Sequence, residues 1–146
     1  MTYAFHTTVH GHLPGISRGE SVEVEGRTVS PLEVPSEAMS HPMAVSFEQA
    51  ADQLGNLPRL FFEPDGSFVW VSSAEDETRW QVDGNLTDFA GKLMFVDLKG
   101  TCPSGEFDRL LTAFGWPASP LMFQLVQQAV FLDENEFRRF AGCDSP

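Results

Sequence analysis

The chain has 146 residues, enough for one core with little room for a second, and its 42% apolar and 21% charged residues are ordinary for a globular protein. Its 9 basic and 21 acidic residues give a formal charge of −12. That argues against nucleic acid and anionic membranes as partners, because both are held mainly through Lys and Arg.

Thirteen Phe and three Trp against one Tyr predict a core of rings without polar handles. The acid is spread along the chain: residues 1–58 hold 2 basic and 7 acidic side chains, and 59–146 hold 7 and 14. An even spread serves solubility rather than forming an acidic tail. No apolar run approaches the roughly 20 residues that span a bilayer, and the start lacks the basic and apolar regions of a secretory signal. Cys102 and Cys143 are too few for a disulfide framework, so free thiols and a cytoplasmic address are expected.

Residues 3–12 alternate loosely, as a strand does, until Leu13-Pro14-Gly15 breaks the pattern. Ser21–Ser30 reads as a small hairpin with Val22, Val24 and Val29 apolar. Residues 31–45, rich in Pro, read as an irregular connection. Ser46 caps a short helix, with Gln49 three residues on as in a capping box. Phe47, Ala50, Ala51 and Leu54 share one face, and Gly55 stops it.

From Arg59 to Cys102 the chain reads as an antiparallel meander of about four strands. Pro64-Asp65-Gly66 makes its first turn, Ala74–Glu77 the second and Asp83-Gly84-Asn85 the third. Ser104 then caps a helix carrying Phe107, Leu110, Leu111 and Phe114, ended by Gly115 and Pro117. Residues 120–132 fit a helix or a strand equally. Asp133 and Glu136 have capping-box spacing ahead of a last helix, with Phe137 and Phe140 facing inward.

The predicted fold is therefore a single α+β domain over 1–146: one antiparallel sheet of about four to six strands with two to four short helices packed on it. An N-terminal part, 1–45, supplies the first strand, the hairpin and the connection. Residues 46–146 supply the rest.

Catalytic motifs fail on context. Gly15-Ile16-Ser17-Arg18-Gly19 matches a nucleophile elbow in letters, but a Pro-Gly turn precedes it and an alternating segment follows it. Asp83–Asp88 begins like a calcium loop, yet the sixth and twelfth positions hold Asp88 and Met94 instead of Gly and Glu. His6, His10 and His12 share a strand face and are weak candidate metal ligands without a carboxylate motif. Cys102 stands at a helix start, where a thiol can be activated, but it has no CxxC partner and no Arg at phosphatase spacing. Glu75-Asp76-Glu77 reads as a solvated loop. No phosphate loop or dinucleotide fingerprint occurs, so neither a cofactor nor a metal is expected.

A sharper expectation concerns the two faces of the meander. With a three-residue first loop and a four-residue second loop, Phe61, Val69, Val71, Trp80 and Val82 share one face. Leu60, Phe62, Phe68 and Trp70 share the other, bordered by Arg79 and Gln81. Neither face is polar. The second is either covered by the chain's own elements, or an aromatic binding patch of Phe62, Phe68 and Trp70 rimmed by Arg79. The leading functional expectation is a non-catalytic module binding a protein, a ligand or its own copy. The alternatives are a metal- or thiol-dependent small enzyme using the N-terminal histidines or Cys102, and an acidic inhibitor or immunity-type protein.

Overall fold

In the computed structural model, which describes residues 1–142, the alternating N-terminus forms β1 (Thr2–Gly11). Tyr3, Phe5, Thr7 and Val9 point into the core from it. The small hairpin is β2 (Val22–Val24) with β3 (Arg27–Val29), and a 3-10 helix at Ser36–Ser40 interrupts the irregular connection. The capping box starts α1 (Phe47–Gly55): Gln49 N donates to Ser46 Oγ at 3.1 Å, and Ser46 N to Gln49 Oε1 at 2.9 Å.

The meander is β4 (Leu60–Phe62), β5 (Ser67–Val71), β6 (Gln81–Phe89) and β7 (Lys92–Pro103). After it come α2 (Ser104–Thr112), β8 (Leu121–Leu125), β9 (Val130–Asp133) and α3 (Glu134–Gly142). Among the described residues the fold is α+β, with a seven-stranded antiparallel sheet in the order β4-β5-β6-β7-β1-β8-β9, a second sheet of two strands and three α-helices. No helix among them is long and apolar enough to cross a membrane.

The sheet exceeds the expected four to six strands for two reasons. β1 inserts between β7 and β8 and pairs with both, and residues 120–132 resolve as the hairpin β8–β9. Leu121, Phe123 and Leu125 face the core in alternation, a period that a helix would scatter.

Three local readings are corrected. Asp83-Gly84-Asn85 is not a turn but the middle of β6, where the Phe68 ring lies on Gly84; a Cβ there would sit 2.1 Å from Phe68 Cζ. The turn is Ala90-Gly91, whose φ values of 52° and 83° are the two positive angles a tight hairpin needs. Ser104 is the first residue of α2 rather than its cap, which is Pro103 and makes no side-chain cap bond.

The third correction decides the faces. The first loop is as expected, with Phe61 opposite Val69 and Leu60 opposite Trp70. In the second, Val71 stands opposite Gln81, not Trp80, so the register slips by one residue. Ser73 N bonds Asp76 Oδ2 at 2.8 Å, and Ser72 and Trp80 pair through Ser72 N to Trp80 O at 2.9 Å. The connection is therefore longer than Ala74–Glu77. Because side chains alternate, the slip turns Trp80 and Val82 to the side of Phe68 and Trp70. That side is the core, with Trp70 and Trp80 in edge contact at 4.9 Å.

Rings dominate the rest of the core. Phe123 stacks on Phe137 at 4.3 Å, and Phe107 lies 5.9 Å from Phe137. Arg138 closes this end by pairing with Asp108 at 2.7 Å and Glu134 at 2.8 Å, its guanidinium over the rings of Tyr3, Phe107 and Trp116.

Candidate binding site

One face of the large sheet is spent on the core, and the opposite face carries the polar positions of every central strand. Its rows follow from register. Val71, Gln81, Thr101 and Ala4 lie across β5, β6, β7 and β1. The next row is Phe61, Val69, Asp83, Lys99 and His6. The third is Ser67, Asn85, Asp97, Thr8 and Gln124. In that row Asp97 is raised above the usual carboxylate range by burial, an effect that the neighbouring His6 opposes.

Toward β4 the same face turns apolar. Phe61 is 65% exposed, and Val69 and Val71 are half-buried beside it. Val71 leads into a groove of about 470 Å³ lined by Ser72, Arg79, Trp80, Gln81 and Thr101. A second depression of about 450 Å³ continues it past Arg79 to Thr2, Asp76 and Glu77. The groove floor needs a residue without a side chain at position 100, since a Cβ on Gly100 would lie 2.0 Å from the Gln81 carbonyl oxygen. Arg79 is exposed and makes no ion pair among the described residues.

The four residues expected at a binding patch are thus divided. Phe68 is 2% exposed and Trp70 fully buried, its indole Nε1 donating to the Pro58 carbonyl at 2.9 Å. Phe62 packs half-buried against the core, 6.3 Å from Phe47 of α1. The aromatic patch is therefore covered by the chain itself, and only Arg79 stands at an open groove. An apolar strip lies on the other face, at exposed Phe61 and half-buried Val69 and Val71, which a four-residue second loop would have grouped with Trp80 and Val82.

The candidate metal ligands do not converge. His6 is exposed, while His10 is buried, shares a 2.7 Å hydrogen bond with Thr8 Oγ1 and stacks at 5.6 Å on Phe95. His12 Nδ1 is 3.0 Å from its neighbour's carbonyl at Leu13. Among the described residues no three His, Cys, Asp or Glu side chains are grouped to hold a metal ion. Ser17 lies in a loop that bonds to Glu33, without the strand and helix of a nucleophile elbow.

Cys102 is fully buried on β7, and burial, reinforced by Glu106, pushes its thiol up to about 12. Cys143 lies outside the described residues. A shift of that size puts the thiolate fraction of Cys102 about a thousandfold below that of a free cysteine. Native iodoacetamide labelling at neutral pH, mapped by peptide, should leave Cys102 unmodified for hours and reach it only on unfolding. Labelling of Cys102 within minutes would show that the thiol is reactive after all.

A smaller cleft of about 190 Å³ lies between β1, the β2–β3 turn and α3. Its cation is already engaged: Arg27 donates to the Phe140 carbonyl at 2.6 Å and lies 4.9 Å from that ring's centre. Comparison with protein-family models, with curated proteins and with solved structures returns no match to this chain.

Proposed function

We propose that this chain is a non-catalytic binding module, which takes a protein or ligand on the open face of its large sheet at the groove beside Arg79. The observation that carries the reading is the juxtaposition of an apolar strip, exposed Phe61 and half-buried Val69 and Val71, with a groove whose rim holds a guanidinium that makes no ion pair among the described residues. Apolar surface with a charged rim is the usual make-up of a recognition site. The groups that chemistry would need point the other way. Cys102 and His10 are buried, and burial holds each in its neutral form. A single buried thiol among the described residues also suits a reducing, cytoplasmic setting.

The test compares baits in a native lysate: wild type, Val71→Glu, Arg79→Glu, and Glu48→Lys on the distant helix α1. A specific binder should lose at least roughly fivefold in retention with each groove variant and none with Glu48→Lys. Binding that survives both groove substitutions, or no binder of the wild type at all, defeats the reading.

A further inference from the structure

The two edges of the large sheet are treated differently. At the β9 edge Leu32 lies alongside, its N–H bonded to the Phe131 carbonyl at 2.7 Å. At the other edge, among the described residues, β4 has no strand beyond it. Arg59 and Glu63 spend their backbone groups on β5, through Val71 N to Arg59 O at 3.3 Å and Glu63 N to Ser67 O at 2.8 Å. Antiparallel ladders alternate, so the N–H and C=O of Leu60 and Phe62 face outward. Such an edge is a template for another strand; here it is limited to three residues between Pro58 and Pro64, and Leu60–Phe62 itself holds no Lys or Pro.

We propose that β4 pairs with β4 of a second copy, antiparallel about a two-fold axis through Phe61, joining two seven-stranded sheets into one. The sequence Arg59-Leu60-Phe61-Phe62-Glu63 is self-complementary in that register. Leu60 meets Phe62 of the second copy, and both pairs have their backbone groups turned outward for the ladder. Phe61 meets itself at the intervening position, where side chains come closest. The ladder itself is Leu60–Phe62, because Arg59 has a left-handed backbone (φ 64°) and its Nε donates to its own Val71 carbonyl at 2.9 Å. Its remaining guanidinium N–H groups meet Glu63 of the second copy at both ends, and neither residue has an ion-pair partner within its own chain among the described residues. The symmetry is the isologous kind that closes on itself, so pairing stops at two chains.

The formal charge of −12 per chain works against association, and the contact is short. Both place the dimer in the weak, concentration-dependent class. It shares Phe61 with the apolar strip but uses none of the groove lining at Val71 and Arg79, and stands whether or not the groove binds anything.

Sedimentation in about 0.15 M salt, from a few micromolar to about 1 mM, reads the equilibrium directly. The wild type should shift reversibly from its 16.2 kDa monomer toward twice that mass. Phe61→Lys, at an exposed position, should weaken pairing roughly tenfold or more and leave thermal unfolding unchanged, because it sets two like charges against each other. Arg59→Glu and Glu63→Arg should each weaken it too. Mixed in equal amounts, those two variants face each other with opposite charges at both ends and should form a heterodimer that neither forms alone. A wild type that stays monomeric to about 1 mM, a dimer indifferent to Phe61→Lys, or the absence of heterodimer in the mixture each overturns the proposal. If Arg59→Glu fails to fold through loss of its Nε bond to the Val71 carbonyl, Phe61→Lys decides alone.

Discussion

Trp70→Ala should remove about 3–5 kcal/mol of folding stability, while Phe61→Ala on the adjacent strand should change it by less than about 0.5 kcal/mol. Trp70 is fully buried, touches Trp80 edge-on at 4.9 Å and fills its one donor on the Pro58 carbonyl. Truncation removes the ring, leaves a cavity and strands that carbonyl. Phe61 is 65% exposed, so little apolar contact is lost with it. Urea unfolding at low micromolar concentration measures both. Equal costs would mean that both faces of the meander are packed, and that no apolar strip is open beside the groove.

That contrast also shows where the sequence stops being legible. Elements with local chemistry were readable: the Ser46–Gln49 box, the Pro64-Asp65-Gly66 turn, the alternating N-terminal strand and the hairpin Val22–Val29. Each rests on residues a few positions apart. What failed depended on distant partners. Gly84 looks like a turn former until the Phe68 ring is laid on it from the next strand. Residues 120–132 look ambiguous until β1 provides the ladder that Leu121–Leu125 joins.

The site failed for the same reason in a sharper form. Whether Val82 or Gln81 faces Trp70 turns on the length of one acidic loop, and Ser72, Ser73 and Asp76 lengthen it through bonds that composition does not announce. A single-residue slip exchanged the inside and outside of β6. It carried Trp80 and Val82 to the core side beside Phe68 and Trp70, where the covered alternative for that face holds, and left Arg79 as the one expected patch member at an opening. A usable signal was present: β6 holds Gln81, Asp83, Asn85 and Thr87 at every second position, and a polar face that regular must be the solvated one.

His10 should make folding stability depend on pH between about 4 and 6.5. Its ring is buried between Phe95 and Phe131, and burial lowers its pKa from 6.5 to about 4. In that window the unfolded chain binds the proton and the folded one does not, so stability rises with pH. The contribution is fully present above about 6.5 and is lost as pH falls toward 4. A shift of this size corresponds to about 2 kcal/mol lost at pH 5 and about 3 kcal/mol below pH 4. Most carboxylate protonation falls lower, so the upper part of the window belongs largely to this imidazole. Urea unfolding of the wild type and of His10→Gln at pH 7.5, 6 and 5 isolates the effect. The variant starts less stable, because it loses the packing on Phe95 and Phe131, but it should fall by roughly 2 kcal/mol less between pH 7.5 and 5. If the two proteins lose stability in parallel, His10 is charged in the folded state, and the outer face at Phe95 and Met122 is open to water rather than packed.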